Sequence, residues 1–123
     1  MEEKMREQVL AICELLYNKK ALDIKALYVA DKTIVADWFI VCSGHAVQQV
    51  KTLADEVEDK AAELGLSVIR KEGYQEGRWI VLDLANILVH IFHPAEREYY
   101  NMERLWEDDP RGVINYSRDK GEE

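Results

Sequence analysis

Residues 77–92, GRWIVLDLANILVHIF, decide how the rest of the chain is read. The stretch is rich in β-branched and aromatic residues and is broken once, at Ala85-Asn86. That pattern predicts two β-strands around a tight two-residue turn. Leu84 then faces Ile87, and side chains alternate between the two faces of the sheet. One face carries Ile80, Leu82, Leu84, Ile87, Val89 and Ile91 and is wholly aliphatic. The other carries Trp79, Val81, Asp83, Leu88, His90 and Phe92. An unpaired buried carboxylate is costly, so this second face suits recognition or chemistry better than a core. A covering helix, with Asp83 bonded to backbone amides or to His90, would account for it equally. A turn of odd length would exchange the two faces.

Outward from the hairpin, apolar spacing assigns the remaining elements. Met5, Val9, Ile12 and Leu16 share one face of a helix over residues 3–18. DIKALYV (23–29) and ADWFIVCSG (36–44) read as strands. A helix over 46–64 buries Val47, Val50, Leu53, Ala54, Val57, Ala61 and Leu64, and Gly65 is its stop. LSVIR (66–70) is the third strand, ahead of the hairpin. Pro94 opens a last helix running to Trp106. The order α-β-β-α-β-β-β-α predicts an α/β (α+β) fold: a mixed five-stranded sheet with helices packed on it. One domain is expected over 1–108, followed by a polar, mobile tail over 109–123.

Composition narrows the function. The chain has 123 residues, of which 48% are hydrophobic and 33% charged, as in a folded globular domain. Its apolar runs are strand-sized, so no membrane span is expected, and the charged start MEEKMREQ is not a signal peptide. A cytoplasmic location follows as the expectation. Cys13 and Cys42 are too far apart in sequence for a metal-binding pair and read as small buried thiols. The formal net charge is −8 and no Lys/Arg stripe runs along the chain, which disfavours direct nucleic-acid binding. An acidic surface suits a basic protein partner, or serves solubility alone.

Catalytic patterns are sparse. CSGHAVQQV (42–50) is a strand, a turn and a helix start, with Ser43 or Gly44 as the expected cap and no glycine-rich phosphate loop. Asp83 is alone on its strand, so no Asp-x-Asp pair offers two magnesium sites. Asp55, Glu56, Glu58 and Asp59 fall on the wet side of their helix. The histidines lack metal-ligand spacing, nothing orients His45 for catalysis, and no cofactor motif is present. Asp83 with His90 is the one candidate acid–base pair. It keeps open a nucleotidyltransferase-like enzyme or a nucleotide sensor as the alternative to a non-catalytic binding protein.

Three stretches, ADWFIVCSGHAVQQV (36–50), EGYQEGRWIVLDLANILVHIF (72–92) and REYYNMERLW (97–106), resemble in order and spacing the Iojap family of ribosomal silencing factors. The positions that carry the resemblance include Asp37, Gly44, Glu72-Gly73, Trp79, Asp83, His90, Arg97, Tyr100, Glu103 and Leu105-Trp106. It implies a sheet related to nucleotidyltransferases but without their catalytic carboxylates. It further implies binding to the large ribosomal subunit through its protein fourteen (universal naming), a steric block to joining of the small subunit, a role in late subunit assembly, and a homodimer. The family commonly has Gly-Asp where this chain has Ala85-Asn86, and Leu where it has Met102. On this reading Trp79, Asp83, His90, Phe92, Arg97 and Tyr100 form the partner-binding face, since Trp, Tyr and Arg dominate interface energies. Trp79 packing at a sheet edge, Arg97 paired internally with Glu103 or Asp83, and Leu105-Trp106 packed on the sheet are the competing roles.

Overall fold

In the computed structural model, which describes residues 2–107 and 110–116, the 77–92 hairpin lies at the heart of a mixed sheet. Its strands are β4 (Trp79–Asp83) and β5 (Ile87–Phe92), preceded by α1 (Glu2–Asn18), β1 (Leu22–Tyr28), β2 (Trp38–Ser43), α2 (Val47–Glu63) and β3 (Arg70–Glu72). After β5 come α3 (Pro94–Tyr100), a 3₁₀ turn over Met102–Trp106, a second over Pro110–Gly112, and β6 (Val113–Asn115). The sheet order is β3-β4-β5-β2-β1-β6, and only β2 and β5 run parallel.

The hairpin register is the expected one. Trp79 pairs with Phe92 and Asp83 with Leu88, and the Leu84 amide donates to Ile87 O at 2.9 Å. Every residue of the aliphatic face is buried, packed under α1 and α2 with Val9, Ile12, Leu16, Val50, Leu53 and Val57. Gly65, at φ 78°, ends α2: its amide donates to Ala62 O and that of Leu66 to Ala61 O, the two bonds of a Schellman stop. Cys13 and Cys42 are free thiols at 0% exposure, and burial pushes Cys42 up to about 12 and Cys13 further.

Four expectations are corrected. Among the described residues the sheet has six strands, not five: Val113–Asn115, within the stretch read as a tail, pairs with Lys25–Leu27 of β1. Tyr116 then lies buried and its hydroxyl donates to Glu14 of α1. Residues 108–109 and 117–123 of that stretch lie outside the described residues. The third strand pairs over 70–72 rather than 66–70, because Leu66 and Val68 turn into the core below the sheet edge. The last helix stops at Tyr100, where Asn101 takes left-handed angles (φ 46°, ψ 47°), and the chain continues as 3₁₀. Neither Ser43 nor Gly44 caps α2; Ala46 is its cap residue and makes no side-chain cap bond.

Ala85 occupies φ 79° at the hairpin turn. A side chain there is strained by about 1–2 kcal/mol, of which glycine's extra unfolded-state entropy returns about 0.5–1. Ala85→Gly is therefore expected to stabilise the fold by about 0.5–1 kcal/mol. Urea unfolding midpoints of the two proteins check this, and a lower midpoint for the variant would show the turn to be unstrained.

Candidate functional site

The second face of β4 and β5 is half open. Phe92 and His90 are buried, while Trp79, Val81, Asp83 and Leu88 are partly exposed. Phe92 joins Leu27, Val29, Ala36, Phe39 and Val41 in a smaller core, with Trp79, Leu88, Met102, Trp106 and Val113 packed around it. Met102 and Trp106 of the 3₁₀ turn after α3 cover part of this face, and Trp79 at its other side stays partly exposed.

Aromatic rings build this end of the face, with Phe92, Phe39 and His90 buried and Trp79, Tyr99 and Tyr100 reaching the surface. Trp79 stacks on Phe92 with centroids 4.8 Å apart, and Tyr100 leans on Trp79 at 5.0 Å. Tyr99 sits edge-on to Tyr100 at 4.9 Å, and the two tyrosines are 81% and 51% exposed. Phe39 touches His90 at 5.4 Å and Trp106 at 5.2 Å, both edge-on. Cross-strand pairing of positions 79 and 92, together with α3 starting directly after β5, brings Trp79, Phe92 and Tyr100 together. Phe39 was not singled out by sequence reasoning. Its parity with Val41 on β2, opposite Ile40 and Cys42, is the signal that places it on this face.

The polar members are held locally. The Trp79 indole N–H donates to His90 Nδ1 at 3.2 Å, and because indole is a donor only, the imidazole proton resides on Nε2. That Nε2 is buried and has no hydrogen-bond partner among the described residues. Asp83 Oδ1 accepts from the Ala85 amide at 2.8 Å, closing the turn, and Oδ2 lies 3.6 Å from Arg70. Asp83 and His90 therefore share a face without bonding to each other. Among the described residues, no cluster of three or more His, Cys, Asp or Glu side chains is placed to hold a metal ion.

Arg97 lies elsewhere. It is buried, and its Nε donates to Glu103 Oε2 at 3.1 Å and its Nη1 to Ser43 Oγ at 3.0 Å. Lys25 extends the cluster, 4.0 Å from Glu103 and 2.7 Å from Glu107. Arg97 and Tyr100 leave α3 in different directions, one into this cluster and one onto Trp79. The internal Arg97–Glu103 pair weighed in the sequence is the arrangement found. Trp106 packs on Phe39, and Leu105 is 75% exposed.

Burial lowers the His90 pKa from 6.5 to about 4. The folded state thus disfavours the proton relative to the unfolded chain. Its contribution is complete above pH 6.5 and is lost as the pH falls from there towards 4. We expect wild-type stability to drop over that window by on the order of 3 kcal/mol, and the drop to shrink in His90→Phe. Urea unfolding at stepped pH measures both, and equal slopes for the two proteins would remove His90 as the cause.

Comparisons with known proteins fit this geometry. Residues 2–123 match the family model described as ribosomal silencing factor during starvation. The ribosomal silencing factor RsfS of Bacillus subtilis is 42% identical over 99 residues, covering 80% of this chain and 84% of that one. RsfS of Halalkalibacterium halodurans is 42% identical over 102 residues, 80% of this chain and 87% of that one. A crystal structure of a Chromobacterium violaceum protein superposes with a TM-score of 0.80 at 34% identity, covering 85% of this chain and 87% of that one.

Proposed function

The chain belongs to the family of ribosomal silencing factors, and on that premise we propose that it binds the large ribosomal subunit through protein fourteen and blocks joining of the small subunit. Translation then falls when nutrients are scarce, without catalysis by this protein. The observation that carries the reading is the ring cluster in which Trp79, Tyr99 and Tyr100 reach the surface over the buried Phe92 of the sheet. Large aromatic anchors held in place before binding are what protein interfaces use, because little side-chain entropy is then lost. His90 and Phe92 support the anchors from below, Asp83 shapes the adjoining turn, and Arg97 fixes α3 and hence Tyr100. The formal charge of −8 favours a basic protein contact over ribosomal RNA.

The rival reading, a nucleotidyltransferase-like enzyme or nucleotide sensor, needs Asp83 and His90 to act together. Their separate bonds to Ala85 and Trp79 speak against it. No described helix is long and apolar enough to cross a membrane.

Sedimentation with purified subunits tests the proposal. The protein should pellet with large subunits and not with small ones, and it should reduce re-association of the two. Absence from the large-subunit pellet, with the protein folded by circular dichroism, would overturn the reading.

A further inference from the structure

Burying His90 costs stability. The residue is 7% exposed in the middle of the sheet, paired with Val81 of β4 on one side and Val41 of β2 on the other. Its Nε2, which carries the proton, meets no acceptor among the described residues. A buried donor left unmet is unfavourable, and an apolar side chain such as leucine, of similar volume, would bring no such group.

The other ring nitrogen does what leucine could not. Nδ1 accepts the Trp79 indole N–H at 3.2 Å. The two residues are diagonal neighbours on one face of the hairpin, since Trp79 pairs with Phe92 and Val81 with His90. Burial lowers the imidazole pKa to about 4, so near neutral pH the ring is uncharged and Nδ1 keeps its lone pair.

The remaining contacts of Trp79 are ring contacts, with Phe92 stacked at 4.8 Å and Tyr100 tilted against it at 5.0 Å. Stacking tolerates a ring that turns in its own plane or flips about its axis. A hydrogen bond to one atom does not. Among these contacts the bond to His90 is thus the one that selects an orientation of the indole.

We infer that His90 is a positioning residue for the partner-binding face: its Nδ1 holds the Trp79 indole in the orientation that turns the N–H inward and leaves ring surface for the partner. The inference rests on the reading of the ring cluster as the docking face. Indole has one polar atom, and here it is satisfied inside the protein. A partner therefore meets hydrocarbon at Trp79 and need supply no acceptor there.

Two substitutions separate positioning from packing. His90→Leu removes the acceptor and keeps the volume, whereas His90→Asn keeps an acceptor on the same Cγ and loses volume. The chain has three tryptophans, so a proton–nitrogen correlation spectrum shows three indole signals, and Trp79→Phe assigns the one from Trp79. In free His90→Leu that signal should move upfield and its proton should exchange faster with water. Affinity for purified large subunits should fall about fivefold, the weight of one neutral hydrogen bond, while the melting temperature holds or rises. His90→Asn should do the reverse, melting lower but keeping the indole signal and the affinity close to wild type. A packing role alone would make affinity follow stability in both variants. Where either variant fails to fold, His90→Met replaces the first and His90→Gln the second. Three results overturn the inference while wild-type binding stands: an unmoved Trp79 signal in His90→Leu, wild-type affinity in His90→Leu, or loss of signal and affinity alike in folded His90→Asn. If the wild-type protein itself does not bind large subunits, the docking reading falls and this inference falls with it, even where the indole spectra behave as expected.

Discussion

Trp79→Ala is expected to lower affinity for the large subunit by about 2 kcal/mol or more, roughly 30-fold in Kd. Trp79 holds the ring cluster together: Phe92 lies on one side at 4.8 Å, Tyr100 leans on it at 5.0 Å, and its N–H reaches His90 at 3.2 Å. Truncation removes the anchor and also frees Tyr100 to sample other rotamers, so two contacts weaken for one substitution. Fold and contact are separated by a second variant. Tyr100 is 51% exposed, and Tyr100→Ala should cost little stability while still reducing co-sedimentation. Full binding by a folded Trp79→Ala would take Trp79 out of the site. Loss of binding through unfolding, with Tyr100→Ala binding normally, would make the cluster a core feature.

The largest effect on stability is expected at Arg97. Arg97→Met should destabilise the fold by about 3–5 kcal/mol, because it leaves the Glu103 carboxylate buried with, among the described residues, only Lys25 at 4.0 Å to compensate. The double variant Arg97→Met with Glu103→Leu should regain most of the loss, since replacing both partners by apolar groups removes the unpaired charge. Urea unfolding of the two single variants and the double one measures the coupling directly. A cost below about 1 kcal/mol for Arg97→Met would mean that water reaches the pair and solvates it.

The core was legible because it obeys period. The hairpin's alternation placed Ile80, Leu82, Leu84, Ile87, Val89 and Ile91 on one face, and the structure buries all six. The 3.6-residue spacing of Val50, Leu53, Val57 and Ala61 did the same for α2. The sixth strand was not legible, since Val113–Asn115 is three residues long and its pairing with β1 is set by contacts nearly ninety positions away. Short edge strands carry almost no local signal. Helix periodicity also overran Asn101, a residue that tolerates left-handed angles and breaks α3 there.

On the site, parity brought Trp79, His90 and Phe92 together, and chain proximity added Tyr100. The same reasoning put Arg97 beside Tyr100, because residues three apart in a helix are neighbours on its surface. Arg97 instead turned inward to Ser43 and Glu103. Which neighbour a long side chain chooses depends on tertiary partners, and Ser43 stands 54 positions away. The Asp83–His90 pair failed for a related reason. Each group has a nearer partner, the Ala85 amide for one and the Trp79 indole for the other.

The two thiols give the molecule an internal clock. Cys13 on α1 and Cys42 on β2 are both fully buried, and burial holds them as neutral thiols rather than reactive thiolates. A disulfide reagent therefore finds neither until the helix layer lifts from the sheet. If α1 peels away alone, Cys13 reacts ahead of Cys42; if the domain opens as one unit, both react at the same rate. The time course of labelling in native buffer would thus show, without denaturant, whether the helix layer and the sheet open together or in sequence.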